Sequence, residues 1–199
     1  MPEIRSPITS QIQPGNYGTS SEQDPTLTLS EYAPGGLFQI VGWSDFAKAT
    51  LPALTTLGFD GPGDYRTVRN AGHACCFRIA PDKLLLRHQD RSVLSASLEK
   101  LDPARSPTLD LSHARWIIDV EGSAAEALLA RLAAIDFSLS KFPESSFVQT
   151  GIHHVGVMLH RVSVEKFEIY VPVTWARSLW DFICEAATPL GYRVKTDRS

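Results

Sequence analysis

Apolar residues recur with two different periods along the chain, and the order of the two patterns predicts a mixed α+β fold. Runs of apolar residues bounded by Gly, Pro or Asp are typical of strands, and apolar residues three and four positions apart are typical of helices. The first set of patterns predicts a strand, a helix, two strands and a helix, at residues 36–43, 44–58, 73–80, 82–87 and 91–102. Ser44 is expected to cap the first helix, and Pro52 to bend or interrupt it.

The second half of the chain repeats this order. It predicts a strand, a helix, three strands in a meander and a helix, at residues 114–122, 123–136, 147–154, 156–162, 166–172 and 174–187. Ser123 and Glu126 have the spacing of a capping box at the start of the middle helix. Two copies of one pattern predict two pseudo-symmetric, ferredoxin-like β-α-β-β-α halves. Each half would place two helices on one face of an antiparallel sheet.

These halves are expected at about residues 26–105 and 106–199, within a single domain at 26–199. Residues 1–25 are mostly Ser, Thr, Pro, Gln and Gly without apolar periodicity. Such a segment buries too little surface to offset its ordering entropy, so we predict a flexible N-terminal arm that could lie on a partner.

Composition narrows the functional classes. The net charge is -3 and no basic stripe is present, which argues against nucleic acid or an anionic membrane as a partner. No signal-peptide pattern and no apolar run of about 18 residues occurs, so no membrane span is expected. The three cysteines, of which Cys75 and Cys76 are adjacent, make a poor disulfide framework. We therefore expect buried free thiols and a cytoplasmic protein.

The stretch GIHHVGVMLHRV, at residues 151–162, concentrates three of the six histidines. On one extended strand His154 and His160 share a face, with His153 opposite, and about 20 Å separates the two. A hairpin at Val155–Gly156 could bring them closer, but no carboxylate or cysteine stands nearby in the sequence to complete a tetrahedral site. We predict no metal site.

Other chemistry-bearing motifs are absent. No nucleophile elbow, dinucleotide-binding glycine motif or Walker sequence occurs, and Cys75 and Cys76 lie in an apolar strand that would not activate a thiol. Trp180 is expected in the core and Trp175, in the first turn of the last helix, at the surface. We predict no catalytic residue, and the candidates for cofactor binding are His160, Arg161 and Trp175.

Several stretches resemble known families. DLSHARWIIDVEGSAAEALLA, at residues 110–130, resembles the aminomethyltransferase fold of the glycine-cleavage system. Residues 106–192 resemble the γ subunit of heterotetrameric sarcosine oxidase through EGSAAEALLARLAAIDF, FPESSFVQT, FEIYVP and SLWDFICEAA, and IAPDKLLL extends the likeness into the first half. Related N-methyl-amino-acid dehydrogenases use a similar small subunit. The resemblance implies a folate-binding-domain-like fold.

The resemblance also implies a role. This chain would be a small non-catalytic subunit of an enzyme that oxidatively demethylates sarcosine, with α, β and δ subunits as partners. It would hold no cofactor, whereas FAD, FMN, NAD, tetrahydrofolate and zinc would be bound in the partner subunits. Trp175, Phe142 and the N-terminal arm would contact those partners. The alternatives are a stand-alone tetrahydrofolate-binding protein and the equivalent subunit of an N-methyl-amino-acid dehydrogenase.

One position departs from the aminomethyltransferase pattern. That family has a Gly-Gly-Ile-x-Asp-Asp hairpin whose acidic residue meets the folate amine. By the resemblance, residues 156–158 align with Gly-Ile-x, and Leu159 and His160 stand where the acidic pair would be. A carboxylate can hold a proton beside an amine and Leu159 cannot, so the resemblance implies that the catalytic acid is lost.

Overall fold

The computed structural model describes residues 6–10, 12–18, 25–43 and 45–196, which form twelve strands and four α-helices. In chain order these are β1 (Gly15–Tyr17), β2 (Thr28–Tyr32), β3 (Gly36–Val41), α1 (Phe46–Thr56), β4 (Arg69–Ala71), β5 (Ala74–Ala80), β6 (Lys83–His88), α2 (Arg91–Leu98), β7 (Thr108–Asp110), β8 (Arg115–Glu121), α3 (Ala125–Leu132), β9 (Phe147–Ile152), β10 (Val155–Ser163), β11 (Lys166–Pro172), α4 (Ala176–Ala187) and β12 (Tyr192–Val194). The chain divides into a continuous unit, Pro34–His113, and a split unit, residues 1–33 with 114–199.

The continuous unit is a five-stranded antiparallel sheet in the order β4-β5-β6-β3-β7. Alternate strand residues point to one face, where they form a core with α1 and α2; these include Phe38, Ile40, Cys76, Leu84 and Leu86. Helix α1 runs through Pro52 without interruption, so of the two expected effects the interruption is wrong and the bend stays a prediction. Thr50, Ala53 and Leu54 are buried on either side of the proline, and their packing holds the helix together. Ser44 lies outside the described residues.

The split unit is a seven-stranded sheet in the order β1-β12-β2-β8-β11-β10-β9. Without β1 and β2, this order matches that of the continuous unit strand for strand. Strand β2 runs antiparallel to β8 and parallel to β12, and so separates two strands whose counterparts β3 and β7 are neighbours. The predicted α+β class with two ferredoxin-like halves is confirmed, and the split unit has two strands, β1 and β2, without a counterpart in the continuous unit.

The boundary between the units differs from the expected one at about residue 105. Residues 28–32 fall within the predicted first half, but Leu29 of β2 pairs with Val120 of β8. Residues 108–110 fall within the predicted second half, but Asp110 of β7 pairs with Phe38 of β3. Hydrogen bonding across strands decides this division, and periodicity along the sequence carries no information about it.

Part of the predicted N-terminal arm belongs to the split unit. Ile8 is fully buried in its core, and β1 pairs with β12, where the Tyr17 ring stacks on Tyr192 at 5.3 Å between centroids. Residues 1–5, 11 and 19–24 of that segment lie outside the described residues. This segment has few apolar residues, but two of them, Ile8 and Tyr17, pack against the rest of the split unit.

Helices α3 and α4 cover one face of the split unit's sheet. Leu128, Leu129, Leu179 and Ile183 of the helices are buried there, together with alternate residues of the strands. The predicted capping box is wrong, because α3 begins after Ala124, which makes no side-chain cap, and Ala125 N donates to the Gly122 carbonyl instead. The predicted surface positions and core positions of the aromatic residues are mostly correct.

Three aromatic residues test that statement. Trp180 is buried, as predicted, and Trp175 is 52% exposed, as predicted. Phe142, expected to contact a partner, is buried and meets the Phe137 ring edge-on at 5.5 Å, so that expectation is wrong. Among the described residues no helix is both long enough and apolar enough to cross a membrane.

Candidate functional site

A row of polar side chains crosses the face of the split unit's sheet that α3 and α4 do not cover. Ser30 of β2 pairs with Asp119 of β8, Asp119 with Glu168 of β11, and Glu168 with His160 of β10, so the four residues lie side by side. Asp119 and Glu168 are each 5% exposed, and His160 is 3% exposed. We call Ser30, Asp119, Glu168 and His160 the polar row; it is the most concentrated group of buried ionisable residues in the described chain.

Glu168 is the acceptor at which several groups converge. The Tyr170 hydroxyl donates to Oε2 at 2.8 Å, and the Tyr32 hydroxyl donates to Oε1. The His160 Nδ1 lies 3.3 Å from Oε2. Two tyrosines and a histidine from three different strands therefore meet one buried carboxylate. Charge-assisted bonds of this kind are stronger than neutral ones, and they fix the side chains that share them.

The other acid of the row, Asp119, pairs with a lysine. Lys166 Nζ lies 3.1 Å from Asp119 Oδ2 and 2.8 Å from Glu121 Oε2, and the Ser30 hydroxyl lies 3.5 Å from Asp119 Oδ2. Burial raises the pKa of Asp119, and the ammonium of Lys166 opposes this rise without cancelling it. Burial also lowers the pKa of Lys166, but its bonds to Glu121 and Asp119 outweigh that effect, and the net pKa is raised.

The three clustered histidines do not form a single site. His153 and His154 make the two-residue turn between β9 and β10, with φ of 45° and 68°, and both are exposed. The turn therefore lies two residues before the suggested hairpin at Val155–Gly156. The His153 ring packs on Phe182 at 4.7 Å, whereas His160 is buried far along β10. The described residues contain no group of three or more His, Cys, Asp or Glu side chains arranged to hold a metal ion.

Positive φ at both central residues defines the type I′ turn, which normally contains Asn and Gly. Histidine enters the left-handed region more readily than most residues, but two in succession are uncommon. The strain is local to an exposed hairpin tip.

A family model described as the GCVT N-terminal domain matches residues 74–195. The matched segment is more than half of the chain and contains Asp119, His160 and Glu168. The chain belongs to the GCVT N-terminal domain family. No curated protein sequence matches it.

Solved structures agree with this membership of the GCVT N-terminal domain family. A chain of the heterotetrameric sarcosine oxidase from Corynebacterium sp. U-96, solved with pyrrole 2-carboxylate, is similar over 98% of both chains with 18% identity and a TM-score of 0.78. The glycine cleavage system aminomethyltransferase T from Bartonella henselae is similar over 85% of this chain, with 14% identity and a TM-score of 0.58. This chain spans 48% of that enzyme. At such identities the likeness establishes the aminomethyltransferase-like fold.

The structure separates the three candidate cofactor-binding residues of this family member. His160 belongs to the polar row, but Arg161 follows it on β10 and points to the opposite, helix-covered face. Trp175 lies at the start of α4. The three side chains therefore do not converge, and their role in cofactor binding stays a prediction.

Arg161 has a structural role on the helix-covered face. Its side chain is fully buried and donates to the Phe137 carbonyl and, at 3.1 Å, to the Val164 carbonyl. It also pairs with Glu126 at 3.1 Å and lies over the Phe167 ring at 4.5 Å. Glu126, which the sequence predicts as a capping residue of α3, forms this ion pair instead.

Glu168 and Asp119 were missed by the sequence reasoning. No carboxylate stands next to the histidine stretch in the sequence, but cross-strand pairing places Glu168 directly beside His160. A signal was present: Asp119 in WIIDVE and Glu168 in KFEIYV are acids inside apolar strands. An acid within such a strand is buried only when it has a partner, so it marks a buried polar contact.

Two of the three cysteines, Cys76 and Cys184, have thiols of raised pKa. All three are free thiols, as expected; Cys76 is buried, while Cys75 and Cys184 are half-buried. Burial raises the pKa of Cys76 to about 12 and that of Cys184 to about 11. The thiolate is the reactive form, so both groups are held in the unreactive state near neutral pH.

Proposed function

We propose that this chain is the small, non-catalytic γ-type subunit of a heterotetrameric sarcosine oxidase. The observation that supports it best is the end-to-end likeness to a chain of such an enzyme, which covers 98% of both chains. The likeness to aminomethyltransferase T is equally clear in fold but covers half of that enzyme. A role as one subunit of a larger enzyme fits the first comparison more fully than the second.

The chemistry of the polar row also supports a structural role. Both oxygens of Glu168 accept hydrogen bonds from the protein's own tyrosines, and Lys166 is held between two carboxylates. A general acid or base must reach the atom whose proton it moves. Side chains that are buried and engaged with one another in this way hold strands together and do not present a reactive group.

The same residues do not fit tetrahydrofolate. A folate site needs an open cavity with polar groups that point into it, but His160, Asp119 and Glu168 are 3–5% exposed. The polar row is therefore not expected to bind folate in this chain. In the proposed assembly FAD, FMN, NAD, tetrahydrofolate and zinc are bound by the α, β and δ subunits. We also place the assembly in the cytoplasm, where a reducing environment keeps the three thiols free.

Purification of the tagged full-length chain from its own cells tests the proposal. We expect two large flavin-containing chains and a small zinc-containing chain to co-purify in constant ratio, with sarcosine-dependent oxygen consumption. A stable monomer without these partners would contradict the proposal. Co-purification with sarcosine oxidation but no oxygen consumption would indicate the dehydrogenase alternative.

A calorimetric titration of the isolated chain with tetrahydrofolate tests the remaining alternative. We expect no binding tighter than about 100 μM, which corresponds to roughly -5.5 kcal/mol. Tighter binding would favour a stand-alone folate-binding protein.

A further inference from the structure

The outer face of helix α1 has the composition of a contact surface. Its exposed residues come in pairs four positions apart and so form one stripe along the helix: Ala47, Lys48, Leu51, Pro52, Thr55 and Thr56. Lys48 is the single charged residue among them, and Leu51 is 40% exposed. A helix with one solvated face normally carries charged and polar residues there. Helix α1 is instead mostly uncharged on both its buried and its exposed face.

Pro52 adds a second unusual feature to this stripe. Proline inside a helix destabilises it, since the ring crowds the preceding turn and no N–H is available. Pro52 therefore cannot donate to the carbonyl of Lys48, four residues earlier. The proline is exposed and contributes nothing to the core of the continuous unit. A proline that lowers the stability of the helix at this exposed position fits a stripe that a partner covers in an assembly.

Two shallow grooves border helix α1. One, of about 570 Å³, is lined by residues that include Lys48, Leu51, Pro52 and Lys100. The other, of about 460 Å³, is lined by residues that include Trp43, Ala47 and Arg78. Ala47 and Lys48 are adjacent in the sequence, so both grooves border the N-terminal half of the stripe.

The second groove contains the residue types that dominate protein interfaces. Trp43 is 63% exposed, and tryptophan and arginine are the residues most enriched at interface hot spots. Arg78 is held in place by the carbonyls of Gly63 and Pro81, each at 3.2 Å, and by the Tyr65 ring at 4.7 Å. A guanidinium fixed in this way loses little entropy when a partner binds.

The charge of the surface indicates the chemistry of its partner. The two grooves contain three cationic side chains, Lys48, Arg78 and Lys100, and one carboxylate, Asp82. The whole chain has a net charge of -3, so the surface is locally opposite in sign to the rest of the molecule. Interfaces pair positive patches with negative ones.

We propose that the α1 surface, made of Trp43, Lys48, Leu51, Pro52, Arg78 and Lys100, binds a segment of a larger subunit in which carboxylates flank apolar side chains. The proposal rests on the proposed function, because the larger subunit is a chain of the same assembly. The apolar side chains of that segment cover Leu51 and Trp43, and its carboxylates meet the two lysines.

Paired substitutions at one exposed leucine test the proposal. Leu51→Glu and Leu51→Lys are to be compared with Leu139→Glu, a change at a leucine of similar exposure, 46%, in the split unit. Affinity of each full-length chain for the remaining subunits is measured by surface plasmon resonance over a range of NaCl concentrations. Circular dichroism melting verifies that each variant is folded. Lys48→Glu serves as a second charge reversal.

We expect Leu51→Glu to weaken assembly about tenfold or more, Leu51→Lys to weaken it less, and Leu139→Glu to change it less than threefold. Lys48→Glu should weaken assembly and reduce its salt dependence. If wild type assembles and all variants assemble equally, or if Leu51→Lys is the weaker of the pair, the surface proposal is wrong while the proposed function stands. If wild type does not assemble, both fail. If the isolated chain forms a dimer that Leu51→Glu dissociates, the occupant is a second copy and the surface proposal is wrong.

Discussion

Replacing Glu168 with alanine should destabilise the split unit by about 3 kcal/mol. The change removes the acceptor for the Tyr170 and Tyr32 hydroxyls and for His160 Nδ1. Tyr170 and His160 are 2% and 3% exposed, so water cannot replace the lost bonds, and each group left unsatisfied costs about 1–3 kcal/mol. Tyr32 is partly exposed and can turn to water. Relief of the buried carboxylate's own desolvation offsets part of the sum.

Urea denaturation followed by tryptophan fluorescence measures this change. Three of the four tryptophans, Trp116, Trp175 and Trp180, belong to the split unit, so the signal reports mainly on the unit that contains Glu168. Glu168→Gln keeps one oxygen acceptor and should cost about half as much as the alanine variant. Glu144→Ala, at an exposed glutamate of the same unit, is the matched control and should change stability by less than about 0.5 kcal/mol.

Two results would refute this reasoning. An alanine variant as stable as wild type would mean that the hydrogen bonds to Glu168 do no more than repay the burial of its charge. A Glu168→Gln variant that assembles normally but loses about a hundredfold or more in sarcosine turnover would mean that the polar row takes part in catalysis. The structural interpretation requires turnover per assembled complex to stay within about twofold of wild type.

Three further predictions concern the split unit. His154→Gly should raise the free energy of unfolding, measured by thermal denaturation, by about 1 kcal/mol, because a φ of 68° strains a histidine and not a glycine. A loss of stability would contradict this prediction. Burial raises the pKa of Asp119 in the folded chain, so its protonated form favours folding, and that contribution is lost as pH rises through the raised pKa. The unfolding free energy of wild type minus that of Asp119→Asn should therefore fall as the pH rises above about 4, the ordinary pKa of an aspartate, in urea titrations. A difference that grows with pH would refute the assignment. Arg161→Leu should lower the free energy of unfolding by about 3–5 kcal/mol in the same assay, because the carbonyls of Phe137 and Val164 lose their hydrogen-bond donor. A decrease below about 1 kcal/mol would show that the hydrogen bonds of Arg161 add little to stability.

Much of the fold could be predicted because its determinants are local. Period-2 and period-3.6 patterns correctly located the four helices and seven strands, β3, β5, β6 and β8 to β11, but not the shorter strands β1, β2, β4, β7 and β12. Their repeated order correctly predicted two ferredoxin-like units. The hairpin between β5 and β6 and the meander from β9 to β11 follow directly from short connections between apolar runs.

What could not be predicted depends on contacts between residues distant in sequence. Strand β2 pairs with β8 across an intervening unit, and no local signal encodes that choice. Glu126 has the spacing of a capping residue, but a fully buried arginine 35 positions later binds it. Pro52 has the local signature of a helix break, and core packing on both sides overrides it. In each case a tertiary contact outweighs a local preference of about 1–3 kcal/mol.

The candidate site shows the same division. The sequence identified His160 as a candidate residue, but the role of its side chain depends on Glu168, which lies eight positions later on the neighbouring strand. Strands buried on both faces read as continuous apolar runs, so the hydrophobic pattern does not show which face the helices cover. The sequence predicted no metal site at the histidine stretch, and the resemblance implied a lost acid there, while the structure pairs His160 with a carboxylate.

The polar row also explains why buried charges persist in a chain for which we propose no catalysis. A slip of β11 by one residue against β8 and β10 would turn Glu168 into the helix-covered core and bring Phe167 to the polar face. Glu168 would then lose both tyrosines, and an unpaired buried carboxylate costs several kcal/mol. An all-apolar row would tolerate that slip far better, because Phe167 and a leucine differ little in transfer free energy. The row thus selects one strand register out of several that hydrophobic burial alone would accept, and this function in the fold requires neither substrate nor cofactor.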